Sequence, residues 1–324
     1  MGCLLGVIRD LATNKIKLGT RGSKLALIQT HTVADELYRL NPLLEIEITD
    51  VKTIGDLKQG TPLASKGDKK DWIYELELGL LSGGFDLVVH CAKDIPSDIE
   101  PGTEVLPILL RQDPLDVFIG KQVDGRRLSF LELPQGARVG TASLRRKACL
   151  IRLRPDLNIV EHRGNVNTRI EKLDSNPELS GIVLAAAGLN RLGLGHLASY
   201  KFTPEEILPA VNQGMLAMQF LSSRADIREI VKSLGDKLVL ATWKAERTVV
   251  ELIKGDCKSS VGIFSTVSNG KLELSARVML PDGSKCIEVK EIGNIEEPIN
   301  LGEKVAKNLF EQGAIEILEE SRGL

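Results

Sequence analysis

Cysteine, histidine and aromatic residues are scarce in this chain of 324 residues. The five cysteines (Cys3, Cys91, Cys149, Cys257, Cys286) form no CxxC pair, which argues against a disulfide framework and against a thiolate zinc site. The four histidines (His31, His90, His162, His196) are equally dispersed, so no metal is expected. Three tyrosines and seven phenylalanines leave few platforms for stacking single-stranded nucleic acid. An excess of either charge is also missing. The 42 Lys and Arg against 44 Asp and Glu give a net charge of −2, too little to draw the chain to nucleic acid or anionic lipid. No run reaches the ~20 apolar residues that span a bilayer. Met1–Asp10 lacks the basic start and long apolar core of a secretion signal. A cytoplasmic protein with neither membrane nor nucleic-acid partner is the expectation. No HExxH, GxSxG, GxGxxG or GxxxxGK[ST] stands in a supporting context.

The remaining composition is that of a globular chain with a real core: 43% hydrophobic and 27% charged residues, long enough for two or three domains. Lys15–Gly19 reads as a strand, Thr20–Ser23 as a turn and Leu25–Leu37 as a helical face. The same order recurs as Ala137–Gly140, Thr141–Ser143 and Leu144–Leu153, so Gly-Thr followed by Ser opens a helix twice. Each copy leads on to an apolar strand, Phe85–Val89 and Gly181–Ala185. The pattern predicts two similar α/β lobes with parallel-type sheets, although unrelated α/β units can share this grammar. Asp113–Arg127 reads as a crossover between them. Beyond Pro209 the pattern changes. A helical run at Glu246–Ile253 precedes antiparallel strands at Val261–Val267, Leu272–Leu280 and Cys286–Val289, with a hairpin turn at Pro281–Ser284. A closing helix over Ile299–Leu318 completes a smaller α+β domain. The expected division is 1–111 with 211–233 for the first lobe, 112–210 for the second and 234–324 for the C-terminal domain.

Both turn–helix junctions present backbone N–H groups and a hydroxyl at a helix N-terminus, a natural anion site. The second is rich in cations, with nine Lys and Arg between Arg138 and Lys172. Guanidinium forks bind carboxylates bidentately, so Arg145, Arg146, Arg163 and Arg169 read as contacts to a polycarboxylate, and Arg152 and Arg154 as a solvated helix face. His90-Cys-Ala-Lys-Asp94 follows a buried strand at its C-terminal end, where open α/β sheets place ligands. Asp94 there either stabilises a developing cation or caps the turn before Pro96. Cys257 lies between Lys254 and Lys258, whose charge favours a thiolate, but a lone loop cysteine says little by itself.

Taken in order, several segments resemble the porphobilinogen deaminase (hydroxymethylbilane synthase) family from about Ile16 to beyond Gly283. They are Gly19-Thr-Arg-Gly-Ser-Lys-Leu-Ala26, His90-Cys-Ala-Lys-Asp94, Val139-Gly-Thr-Ala-Ser-Leu-Arg-Arg146, Arg163-Gly-Asn-Val-Asn-Thr-Arg169, Leu184-Ala-Ala-Ala-Gly-Leu-Asn-Arg-Leu192, and Cys257 in its loop. The resemblance implies two lobes like type II periplasmic binding proteins with the active cleft between them, and a third domain carrying the cofactor cysteine. It implies condensation of four porphobilinogen molecules, with release of ammonia, into a linear tetrapyrrole of haem biosynthesis. A dipyrromethane cofactor would be held by a thioether to Cys257. Arg145, Arg146, Arg169, Thr141, Ser143, Asn165 and Lys93 would hold its carboxylates. Arg21, Ser23, Arg163, Arg191, Lys69 and Trp72 would meet substrate or the growing chain. Asp94, the catalytic residue, would also bind the cofactor by accepting pyrrole N–H bonds, and would stabilise the azafulvenium cation left by ammonia. A monomer is implied.

The chain departs from the family pattern at several points: Cys91 for Ser, Ala92 for a larger apolar residue, Asn212 for Gly, Asp256 for Gly, and an altered loop over 65–72 that keeps Lys69 and an aromatic residue. Asp256 beside Cys257 should disfavour the thiolate. The competing reading is a catalytically impaired binding protein for a polycarboxylate or pyrrole ligand.

Overall fold

The computed structural model describes residues 15–57, 69–255 and 260–323. The chain divides into two compact units, one of residues up to Arg111 with Met215–Leu240, the other of Gln112–Gly214 with Ala241–Leu324.

The first unit holds a five-stranded sheet of β1 (Lys15–Arg21), β2 (Glu45–Val51), β3 (Leu87–Cys91), β4 (Thr103–Ile108) and the later strand β12 (Leu216–Leu221). Its order is β2-β1-β3-β12-β4. β1 is parallel to β2 and β3, and β12 is antiparallel to β3 and β4. The second unit contains β5 (Asp116–Gly120), a small hairpin of β6 (Gln122–Val123) and β7 (Arg126–Arg127), then β8 (Arg138–Gly140), β9 (Asn158–Val160), β10 (Gly181–Ala185) and β11 (Tyr200–Lys201). Its five-stranded sheet reads β9-β8-β10-β5-β11, with β5 antiparallel to β10 and β11. Both sheets thus follow one plan: second, first and third strands parallel, then an inserted antiparallel strand, then an edge strand.

The sheets are therefore mixed rather than parallel-type, because β12 and β5 enter against the grain. Asp113–Arg127 is likewise not a bare crossover. Val117, Phe118 and Ile119 are 3%, 0% and 0% exposed in β5, a strand covered on both faces and so without the alternation that marks a half-exposed strand.

Serine caps explain why a helix starts at each repeated turn. Ser23 Oγ accepts from Ala26 N at 3.3 Å to open the helix Lys24–Leu40, and Ser143 Oγ accepts from Arg146 N at 3.4 Å to open Leu144–Leu153. Leu18, Val33, Leu37, Leu87, Met218 and Phe220 form the core of the first sheet; Phe118, Val139, Leu150 and Phe202 belong to that of the second.

The C-terminal segment is an antiparallel meander, β13 (Ser260–Ser268), β14 (Lys271–Met279) and β15 (Cys286–Asn294). In place of one closing helix there are two, Pro298–Glu311 and Ala314–Gly323, parted at Gly313 with φ +89°. The meander is part of the second compact unit: Met279 enters the core around Phe118, and Arg277 Nη2 donates to Glu205 O at 3.0 Å. The first unit ends at Leu240, within the helix Lys237–Leu252. Among the described residues no helix is long and apolar enough to cross a membrane.

Candidate active site

In the first unit, β1 and β3 are neighbouring parallel strands, so their C-terminal ends share one sheet edge. β1 ends at Arg21, and β3 runs into a single 3-10 turn, Ala92–Asp94. Ala92 and Ile95 are buried, and Ala92 N donates to Met215 O at 3.1 Å. These anchors fix the turn and leave Lys93 and Asp94 half-buried between them. Cys91, half-buried, closes β3.

A buried polar chain lies just behind Asp94. His90 Nε2 lies 2.9 Å from Gln219 Oε1, while Gln219 Nε2 donates to Glu77 Oε1 and Thr103 Oγ1, each at 2.9 Å. With the amide nitrogen committed as donor, Oε1 accepts, and His90 must carry its proton on Nε2. Burial pushes the His90 pKa down to about 4, against the opposing pull of the Gln219 bond and the Asp94 carboxylate and with added repulsion from Arg21. A neutral imidazole places no positive charge behind Asp94. Sequence reading missed this chain, although a histidine closing an apolar run is a signal that it needs a buried partner.

Arg21 does not stand alone at the edge: its Cζ lies 4.3 Å from the ring centroid of Trp72, which ends the 3-10 turn Lys69–Trp72. Ser23, the helix cap, still has its hydroxyl hydrogen to donate.

In the second unit, Thr141 follows β8, is buried, and accepts from Ser143 N at 3.2 Å. Arg145 and Arg146, expected as carboxylate contacts, are buried and already hold a carboxylate of this chain. They are 5% and 6% exposed and converge on Asp116, which is 0% exposed. Arg145 Nη1 donates to Asp116 Oδ2 and to Leu208 O, both at 2.7 Å. Arg146 Nη2 and Nε reach Asp116 Oδ1 at 2.7 and 3.0 Å, and its Nη1 reaches Val183 O at 2.9 Å. Gln213 Nε2 adds a bond to Asp116 Oδ1 at 3.1 Å. Two guanidinium groups thus share one buried carboxylate. Arg145 retains Nε and Nη2 beyond the bonds named.

The other expected cations are arranged differently. Arg163 is ion-paired with Glu161, and its Nη2 is buried without an acceptor. Arg169 Nε donates to Gly164 O at 2.6 Å. Asn165 occupies the cap position of the helix Val166–Ser175 without a side-chain cap bond. Arg191 Nη2 donates to Gly214 O at 2.8 Å, so part of its fork holds backbone. Arg152 and Arg154 are not a merely solvated face: Arg152 donates to Gly283 O at 3.1 Å, and Arg154 grips Asp156 through two bonds of 2.7 Å.

Asn212, at φ +53°, occupies a left-handed position, which accounts for a residue that stands where glycine is usual. Its N–H donates to buried Glu246 Oε2 at 2.6 Å, while its Oδ1 is buried without a partner. Cys257, Asp256 and the stretch 65–68 lie outside the described residues, as does the side chain of Lys69. Among the described residues no cluster of three or more His, Cys, Asp or Glu could hold a metal.

Two family models match. Residues 16–229 match that of the porphobilinogen deaminase dipyrromethane-cofactor-binding domain, and 240–311 that of the porphobilinogen deaminase C-terminal domain. The chain belongs to the porphobilinogen deaminase family. Curated relatives bearing the name porphobilinogen deaminase agree with this. That of Desulforamulus reducens is 38% identical over 95% of this chain and 98% of its own length. Those of Desulfitobacterium hafniense and Geobacter sulfurreducens are 39% and 36% identical, each over at least 95% of both chains. Among solved structures, the methionine-binding protein MetQ aligns over 68% of this chain and 90% of its own, with 13% identity and a TM-score of 0.40.

Proposed function

We propose that this protein is a hydroxymethylbilane synthase, joining four porphobilinogen molecules into a linear tetrapyrrole with release of ammonia. The observation that carries the reading is the half-buried Asp94 carboxylate on its anchored turn, backed by a histidine kept neutral. An ionised carboxylate there accepts pyrrole N–H bonds and stabilises the positive charge that develops on the substrate as ammonia leaves. Lys93 beside it supplies a cation for a substituent carboxylate.

The second unit suits a ligand bearing several carboxylates. Arg145 and Arg146 share the single carboxylate of Asp116, and Arg163 Nη2 is buried without an acceptor. Thr141, Ser143, Asn165 and Arg169 add further donors, and Cys257 holds the dipyrromethane through a thioether. When bound, that group supplies the pyrrole carbon to which the first substrate unit is joined. Arg21, Ser23, Lys69, Arg163 and Arg191 meet the substrate or the growing chain, with Trp72 at Arg21. The enzyme works as a cytoplasmic monomer.

Intact-mass measurement of protein from a host that makes porphobilinogen tests the reading. The expected result is a covalent dipyrromethane on the wild type, positive to Ehrlich's reagent, that Cys257→Ser abolishes. An unmodified, unreactive wild type that forms no tetrapyrrole would instead indicate a binding protein.

A further inference from the structure

We infer that Trp72 is a positioning residue that holds the Arg21 guanidinium over its indole ring, and that Gly55 is the residue that makes room for that indole. This rests on the proposed contact of Arg21 with substrate and specifies how the contact is built. A Cβ on Gly55 would lie 2.3 Å from Trp72 Cδ2, 2.5 Å from Cε3 and 2.7 Å from Cε2, so the indole rests directly on the glycine backbone. The short helix Ile54–Leu57 that carries Gly55 is tied to the helix Tyr74–Leu81 beyond Trp72 through Ile54 N to Glu75 Oε1, at 3.2 Å. The ring is thereby clasped from two segments, and Arg21 lies over it at 4.3 Å.

Stacking has a chemical consequence. A guanidinium lying on an aromatic face cannot be approached through that face, but its N–H bonds radiate in plane. The arrangement therefore selects a carboxylate arriving edge-on, in bidentate register, such as a side-chain carboxylate of the substrate pyrrole. An arginine without the indole beneath it would sample more rotamers and present that edge for less of the time.

Trp72 and Trp243 are the two tryptophans of the chain, so the difference in emission and near-ultraviolet circular dichroism between the holoenzyme and its Trp72→Phe variant reports Trp72 alone. In that difference signal, Arg21→Met and Gly55→Ala are each expected to change the Trp72 band. Unchanged bands in both variants would overturn the proposal without any appeal to activity. Kinetically, Gly55→Ala should raise KM for porphobilinogen about three- to tenfold with kcat within about twofold. The same substitution in an Arg21→Met background should add nothing further, and Trp72→Phe should fall between wild type and Trp72→Leu. Additive effects of Gly55→Ala and Arg21→Met on KM would mark Gly55 and Trp72 as merely structural and contradict the proposal. A wild type that lacks turnover would instead remove the functional reading, while the spectroscopic result would still decide the Trp72–Arg21 arrangement.

Discussion

The two sheets share a plan but place their carboxylates in opposite settings. Gly19 pairs with Val88 in the first sheet as Gly140 pairs with Ile182 in the second, so His90 occupies the place of Leu184. Past that point the first sheet turns out Lys93 and Asp94, half-buried. The second instead enters the helix Ala186–Arg191, and its own carboxylate, Asp116, lies wholly buried under Arg145 and Arg146. One lobe thus keeps its carboxylate half-exposed beside Lys93 and Arg21, and the other keeps its own buried between two guanidinium groups. A duplicated backbone fixes where a turn and helix N-terminus fall. Which charges those positions display is decided by a few side chains drawn from far along the chain.

The sharpest way to break this contrast is to treat the two aspartates alike. Asp116→Ala leaves two buried guanidinium groups without their counter-charge and should cost about 3–5 kcal/mol of unfolding free energy in urea. Asp94→Ala, from a half-buried position on a turn anchored by other residues, should cost about 1 kcal/mol or less. Equal losses would show that the two carboxylates do not differ as described.

The exchange of His90 for Leu, its counterpart in the second sheet, sharpens the comparison through pH. His90 has a native pKa of about 4, below its unfolded value near 6.5, so the unfolded chain takes up a proton first as pH falls. Its contribution to stability is complete above about pH 6.5 and is lost toward pH 4, on the order of 2 kcal/mol between pH 7 and pH 5. Urea melts at those two pH values should show that loss in the wild type and a correspondingly smaller one in His90→Leu. The variant should be weaker at pH 7, since it leaves Gln219 Oε1 without its donor.

A smaller effect is expected at Asn212. Asn212→Ala should cost about 1–2 kcal/mol, from a left-handed backbone and a lost side-chain bond to Glu246. Asn212→Gly should be close to neutral in thermal melts, because it relieves the backbone and removes the orphaned Oδ1.

What could be read in the sequence was local. Gly-Thr followed by Ser announces a capped helix within a few residues, so the repeat at Gly19 and Gly140 was visible, as was the hairpin around Gly283. The helix break at Gly313 had a visible signal as well, since Gln-Gly is a common helix terminus, but the apolar periodicity on either side outweighed it. What could not be read was paired at a distance. Asp116 lies 29 and 30 residues before the arginines it neutralises, and Gln219 lies 142 residues after Glu77. Charge counted along the chain makes Arg145 and Arg146 look open, because only the fold brings their partner to them. The β5 strand was hidden for a related reason: burial on both faces erases the alternation by which strands are recognised.

The most direct test of the account is ammonia release from porphobilinogen by Asp94→Asn, which keeps the shape of the side chain and removes its charge, compared with wild type at equal cofactor occupancy by intact mass. The account predicts a folded, cofactor-bearing variant whose release is slowed about 100- to 1,000-fold, the usual scale for a lost electrostatic partner of the transition state. Release within a few-fold of wild type would contradict it.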